Sequence, residues 1–129
     1  MKDRFLSRGK RIDNGEWVCG NYVHTRKDDY FIYDHDYGVN VDVNPDTVCQ
    51  CTGITDKNNR LIFEGDIVEF IVEFDVDNKI YVVKWWDGCM AMETYSSRHI
   101  LQLQSIYTKR LKVIGNIYDN PELKEGRAK

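Results

Sequence analysis

The middle of the chain carries the strongest constraint on its fold, a polar turn followed by a strand with period-two apolar residues. Asp56 and Asn59 bound a run of four polar residues, and Asp and Asn tolerate left-handed backbone angles and hydrogen-bond their own main chain. From Ile67 to Phe74, every even position is apolar, while the odd positions alternate between isoleucine and glutamate. This period is typical of an extended strand with one buried face and one partly wet face. The stretch therefore predicts antiparallel β-structure.

Dipeptides that favour tight turns predict further hairpins. Asn14-Gly15 separates strands predicted over 5–12 and 16–24, and Asp87-Gly88 follows a strand predicted over 80–86. Both dipeptides are typical of type I′ turns, in which the two central residues need positive φ. We therefore expect a mainly β fold built from antiparallel hairpins.

The strand predicted over 80–86 is apolar on both faces. Such a strand is typical of a barrel wall or of a position between two lobes. The Gly-Asp-Ile-Val run at 65–68 is also common at the start of SH3-like barrels. We therefore expect one or two small barrel-like lobes, the C-terminal one SH3-like. The size of tryptophan predicts that at least one of Trp85 and Trp86 is buried.

The length of 129 residues suits one compact domain or two small, interlocked lobes. We predict an N-terminal β-hairpin lobe over 1–50, a C-terminal lobe over 51–123 and a polar tail over 124–129. Asn120-Pro121 predicts a short helical turn near the C-terminus, because asparagine caps helices and proline suits their first position.

Composition limits the classes of partner. The net charge is −3 and the sequence pI is about 5.6, so no global positive charge steers the chain toward nucleic acid. No stretch reaches transmembrane length and the first residues are not an apolar run. We expect a cytoplasmic protein that does not enter the membrane.

The segment over 28–46 combines aspartate with tyrosine. Tyr33, Asp34, Asp36 and Tyr37 surround a predicted turn, and the following strand over 39–43 places its three valines inward. A solvated hairpin is one reading of this charge. The alternatives are a hard-cation site, a histidine base at His35, or an acidic surface that receives a basic partner or imitates DNA phosphates.

The N-terminal strand is locally basic. Arg8, Lys10 and Arg11 lie close in sequence to Trp17, and basic groups beside an aromatic ring are typical of surfaces that hold a phosphate backbone and a stacked base. The other reading is an edge strand whose charges discourage pairing with other chains.

The four cysteines and the three histidines form no recognised catalytic or metal-binding spacing. Cys49 and Cys51 are the only close pair, and structural zinc sites usually need a second such pair. Because alternate strand residues share a face, we expect both thiols on one buried side of a strand. We expect no metal, no cofactor and no enzymatic activity.

Two blocks of sequence resemble the YopX family of bacteriophage and prophage proteins of Gram-positive bacteria. The first contains Gln50, Thr52-Gly53, Asp56-Lys57-Asn58 and Glu64-Gly65-Asp66-Ile67-Val68, and the second runs over 113–123. Phe5, Trp17 and Gly20 also fit. Cys51 stands where an aromatic residue is usual, and Asn59 where glycine is usual. The resemblance implies a mainly β fold and carries no agreed activity.

These observations together predict a phage or prophage accessory protein that works by binding. The expected partner is a protein, a second copy of the chain is a further expected partner, and nucleic-acid binding is the alternative. The predicted interaction surface consists of Arg8, Lys10, Arg11, Trp17, Tyr33, Asp34, Asp36, Tyr37 and Trp86.

Overall fold

The computed structural model describes residues 5–71, 79–94 and 100–125. The chain divides into two compact units, Met1–Gly53 (unit 1) and Ile54–Lys129 (unit 2). The strands of the described residues are β1 (Ser7–Lys10), β2 (Trp17–His24), β3 (Tyr30–Asp34), β4 (Val39–Asp42), β5 (Cys49–Thr55), β6 (Leu61–Phe63), β7 (Asp66–Phe70), β8 (Lys79–Trp86), β9 (Cys89–Thr94), β10 (Ile100–Gln102) and β11 (Leu111–Asn116). Short 3-10 helices accompany these strands in the described ranges: η1 (Pro45–Thr47), η2 (Ser105–Arg110) and η3 (Pro121–Glu125). The prediction of a mainly β fold is confirmed.

Unit 1 is an antiparallel sheet in the strand order β4-β3-β2-β1-β5. Its core consists of Val18, Ile32, Val41 and Val43. A single bridge between Arg11 and Val43 ties the end of β1 to the end of β4. The Ile12 amide donates to the Asp42 carbonyl oxygen at 3.1 Å. The Asp42 end of β4 is thereby held close to the loop that follows β1.

The β1–β2 connection differs from the predicted type I′ turn. Gly15 has a φ of 73°, and Asn14 is not among the non-glycine residues with positive φ. The Arg11 amide instead donates to the Glu16 carbonyl oxygen at 2.8 Å, so four residues form the loop. Asn14 uses its side chain, because its Oδ1 accepts the Glu16 amide at 2.9 Å. The I′ prediction at this site is wrong.

Unit 2 is an antiparallel sheet in the order β10-β9-β8-β7-β11, and β5 continues past Gly53 to lie beside β6. Its core is larger than that of unit 1 and consists of Ile62, Val68, Tyr81, Val83, Met92, Leu103, Leu111 and Val113. Within the described ranges β10 and β11 are the two edges of an open sheet, so the predicted barrel closure is wrong. The second apolar face of β8 is accordingly only half buried at Ile80 and Val82.

A buried carboxylate fixes the central turn of unit 2. Asp56 is almost fully buried, and its Oδ1 accepts the amides of Asn58 and Arg60 at 2.9 Å each. Its Oδ2 accepts the Val113 amide at 2.9 Å, which joins the turn to β11. Asn59 adopts a φ of 64°, the left-handed conformation that glycine takes most readily. The predicted tight turn is confirmed.

Strand β11 carries an irregularity, and the helical turn after it follows the prediction. The β7–β11 register shifts between Val113 and Gly115, as a bulge requires. A Cβ at Gly115 would lie 2.5 Å from Asn120 Oδ1, so the backbone approaches closely there. The helical turn predicted from Asn120-Pro121 is η3. The predicted strand residues 72–74 and the tail residues 126–129 lie outside the described residues.

Candidate functional site

Unit 1 carries a groove of about 550 Å³ along the edge of β4 that does not pair with β3. The Arg11–Asp13 loop forms one wall, the β3–β4 turn forms a second, and β4 itself forms the third. The lining residues are Arg11, Ile12, Asp13, Asp34, Tyr37, Val39, Asn40, Val41 and Asp42. The volume falls within the range of ligand-binding clefts, about 300–1,000 Å³.

Three apolar side chains around this groove are exposed to solvent. Tyr37 is 82% exposed, Ile12 is 68% exposed and Val39 is 48% exposed. The inward position predicted for Val39 is therefore wrong, whereas Val41 and Val43 are buried as predicted. Val39 pairs with Asp34 at the last position before the β3–β4 turn, where the core of unit 1 has ended. Exposed apolar groups that cluster at a concave surface are typical of interaction sites.

The first wall is fixed by an ion pair. Arg11 Nε and Nη2 donate to the two carboxylate oxygens of Asp13 at 2.9 and 2.8 Å. These hydrogen bonds from Arg11 lower the pKa of Asp13, and the same contact raises the pKa of Arg11. Both side chains are exposed, so the pair orients the loop and contributes little to stability.

The second wall is the turn over 35–38. The Gly38 amide donates to the Asp34 carbonyl oxygen at 2.7 Å, and the Asp36 amide donates to Asp34 Oδ1 at 2.9 Å. Gly38 has a φ of 66°, which gives the chain the sharp return into β4. The turn leaves Tyr37 at the rim of the groove.

Tyr33 and Asp36 do not line the groove. Tyr33 lies edge-to-face against His35, with 4.9 Å between the ring centroids. His35 Nε2 lies 2.5 Å from Asn21 Oδ1. His35 therefore contacts the Asn21 side-chain amide and the Tyr33 ring.

The basic strand residues lie elsewhere in unit 1. Arg8 is buried, and its guanidinium carbon lies 4.5 Å from the Trp17 ring centroid. Lys10 Nζ lies 5.4 Å from the same ring. Both distances are typical of cation–π contacts. Of the basic residues predicted to act at the surface, Arg11 alone lines the groove.

Trp86 belongs to unit 2, at the end of β8. Trp85 is 54% exposed and Trp86 is 45% exposed, so the prediction that at least one is buried is wrong. The two residues precede the Asp87-Gly88 turn, where both central residues have positive φ, 49° and 85°. This hairpin fits the predicted type I′ geometry, and its end extends beyond the core residues Tyr81 and Val83.

The cysteines do not contribute to the groove. Cys49 and Cys51 are buried in β5, as predicted, and Cys19 is exposed on β2. Over residues 5–71, 79–94 and 100–125, no three histidine, cysteine or acidic side chains form a group suited to a metal ion. In the same ranges, no helix has the length and apolar character needed to span a membrane.

The sequence pointed to Arg11, Asp34 and Tyr37, which the structure brings together in one groove. It missed Ile12, Asp13, Asn40 and Asp42. Of these four residues, Ile12 alone carries a sequence signal for an exposed binding surface, because it is an isolated apolar residue at the start of a polar loop.

The comparisons with known proteins agree with this architecture. A search of curated proteins gives no significant match. Among solved structures, the crystal structure of protein EF1440 from Enterococcus faecalis is similar to this chain, with a TM-score of 0.55 and 24% sequence identity. The likeness covers 92% of this chain and 96% of that chain. The family described as YopX protein matches residues 5–125, nearly the whole length. The chain therefore belongs to the YopX family.

Proposed function

We propose that this chain is a non-enzymatic accessory protein of a bacteriophage or prophage, acting in the host cytoplasm by binding a protein partner through the unit 1 groove. One observation carries the proposal: Ile12, Tyr37 and Val39 are exposed together around a single concavity. Buried contact with a partner would remove these apolar surfaces from water, which is the main favourable term in protein association.

The charges of the groove indicate the chemistry of the partner. Asp13, Asp34 and Asp42 bring three carboxylates to the lining, and Arg11 brings the one guanidinium. Because Arg11 already pairs with Asp13, a surplus of negative charge remains on the second and third walls. Complementary charge directs association and suppresses wrong partners. A segment with apolar and basic side chains fits this groove.

The lining also supports a binding role over catalysis. It combines carboxylates, one ion pair, an amide and apolar groups, and it contains no cysteine, serine or histidine. A nucleophile next to a base is the usual arrangement for covalent catalysis.

Nucleic-acid binding is the competing proposal, and the arrangement of β1 and β2 gives it less support. It needs Arg8, Lys10 and Trp17 at a common open surface. Arg8 is buried, and the two cations lie near the Trp17 ring on which a base would stack. Salt-sensitive retention of single-stranded DNA would favour this competitor.

The test is affinity capture from phage-infected host cells with three versions of the full chain: wild type, Tyr37→Ser and Trp86→Ser. The captured protein is then identified, purified and titrated calorimetrically against each version. We expect Tyr37→Ser to weaken binding about tenfold or more, because an exposed aromatic anchor is lost, and Trp86→Ser to bind as wild type. Equal binding by wild type and Tyr37→Ser would overturn the proposal. Capture of the chain itself, with the same dependence on Tyr37, would identify a second copy as the partner.

A further inference from the structure

We propose that the groove takes an extended peptide segment, which adds as a strand to the free edge of β4 through the backbone of Asn40. The inference rests on the proposed function and specifies its partner as a peptide with alternating basic and apolar side chains. Three observations carry it: the hydrogen-bond alternation of the β3–β4 ladder, the end of the short pairing between Arg11 and Val43, and the chemistry of the groove walls.

The β3–β4 ladder fixes the direction of the backbone groups of β4. The Val43 amide donates to the Tyr30 carbonyl oxygen at 3.1 Å, so these two residues form a hydrogen-bonded pair. Such pairs alternate along an antiparallel ladder with pairs that do not bond each other. By the observed register, Tyr33–Asn40 and Phe31–Asp42 are of the second kind. The backbone amide and carbonyl of Asn40 and Asp42 therefore point away from β3.

The chain itself already uses one of these outward groups. The Asp42 carbonyl oxygen accepts the Ile12 amide at 3.1 Å, and the Asn44 amide donates to the Lys10 carbonyl oxygen at 2.9 Å. This short pairing is the bridge between Arg11 and Val43. After Ile12 the chain turns back through the four-residue loop to Glu16. Within the described part of the chain, no strand continues along Val39–Val41 on this side.

The groove lies along β4 just beyond the point where the pairing with the end of β1 stops. A strand edge with outward amide and carbonyl groups is a template for an added strand, in which main-chain hydrogen bonds supply affinity and alternate side chains supply specificity. Here the side chains of the added segment would meet apolar Ile12, Tyr37 and Val39 and acidic Asp34 and Asp42. An alternating Lys-Val sequence has the matching pattern, because apolar Val39 and acidic Asp42 lie on opposite faces of β4 and the alternate residues of an added strand also point to opposite sides.

The experiment uses the full chain, labelled with ¹⁵N, and the acetylated and amidated peptide Lys-Val-Lys-Val-Lys-Val. We expect chemical-shift changes at Val39–Asp42 and about tenfold slower exchange of the Asn40 amide at saturating peptide, since that amide becomes hydrogen-bonded. The Glu-Val counterpart tests the charge, and a Lys-Val peptide that is N-methylated at alternate residues tests the backbone bonds. Both should bind about tenfold more weakly or worse.

Asn40→Pro and Asn40→Ala form a matched pair of variants. Proline removes the outward amide and is tolerated on an edge strand, because that amide is not part of the β3 ladder. Alanine keeps the amide and removes the side chain. We expect Asn40→Pro to bind about tenfold more weakly than Asn40→Ala, because both variants lack the asparagine side chain and only proline lacks the backbone amide.

The proposal is overturned if the Lys-Val peptide leaves Asn40 exchange unchanged at millimolar concentration, or if N-methylation has no effect on binding to the wild-type chain. The N-methylated peptide keeps the test independent of the folding of Asn40→Pro. With the captured partner protein, loss of binding by Tyr37→Ser but not by Asn40→Pro would preserve the proposed function and remove strand addition. If both variants keep full partner binding, both the proposed function and strand addition are overturned.

Discussion

The two units of the chain differ in where they place their apolar side chains. Among the described residues, unit 2 gathers eight buried apolar side chains into one core and joins its central turn to β11 through buried Asp56. Unit 1 has a core of four and leaves Ile12, Tyr37 and Val39 exposed around a groove. Unit 2 also exposes Trp85 and Trp86 at the end of a hairpin. The difference teaches that, in the described ranges, only exposed apolar side chains of unit 1 surround a groove, which is the surface that we propose binds a partner.

The largest expected effect tests the organisation of unit 2. Asp56→Ala removes the acceptor of three backbone amides, and donors left unpaired cost their desolvation energy. We expect the free energy of unfolding to fall by about 3 kcal/mol or more, measured by urea denaturation. Glu122→Ala, at an exposed position, is the control and should change little. An Asp56→Ala protein as stable as wild type would contradict the role assigned to this carboxylate.

The next effect tests the scaffold of the groove. A Cβ at Gly20 would lie 1.9 Å from the Tyr33 carbonyl oxygen, so Gly20→Ala forces β2 and β3 apart. We expect a loss of about 2 kcal/mol or more together with weaker partner binding. Gly9→Ala is the graded control, because its Cβ would meet three side-chain atoms at 3.3 Å, a milder contact than the one at Gly20. Denaturation and titration of both variants make the measurement, and equal losses would contradict the account.

A smaller effect is expected at the β8–β9 hairpin of unit 2. Because Trp86 is half exposed, Trp86→Ser should lower the free energy of unfolding by about 1 kcal/mol, against about 3–5 kcal/mol for removal of a buried large aromatic. Partner affinity should stay unchanged. Chemical denaturation and calorimetry provide the two readings. A loss of affinity without a loss of stability would move the binding surface from unit 1 to unit 2.

The smallest effect concerns the first wall of the groove. The hydrogen bonds from Arg11 lower the pKa of Asp13, so this interaction stabilises the fold at pH values above the ordinary aspartate pKa and is lost as the pH falls through the lowered value. Arg11→Gln should raise the pKa of Asp13 toward its ordinary value, as followed by carboxyl-carbon NMR. Stability at neutral pH should barely change, because the pair is exposed. An unchanged Asp13 titration would show that the pair does not form in solution.

The fold was accessible from the sequence because its signals are local. Period-two alternation located β7, and Asp87-Gly88 located a hairpin whose two central residues do adopt positive φ. Asn14-Gly15 misled because the Asn14 side chain accepts the Glu16 amide and stabilises a longer loop. The predicted burial of Trp85 or Trp86 failed because residue size predicts burial only where a core faces the strand.

The groove was only partly accessible because its geometry is not local. Asp34 and Tyr37 stood out by composition, and Arg11 by its place in a basic strand. Their meeting depends on the bridge between Arg11 and Val43, which joins residues far apart in sequence. Likewise, the outward direction of the Asn40 backbone follows from the observed register of β3 and β4, and alternation alone does not specify it.

Amide hydrogen exchange of the full chain, with and without its captured partner, tests the central claim most directly. It reads both units in a single sample and reports where the partner protects the backbone. The account predicts slower exchange at Ile12 and Val39–Asp42 in unit 1, with little change around Trp85 and Trp86. Protection confined to the β8–β9 hairpin, with the groove amides unchanged, would contradict it.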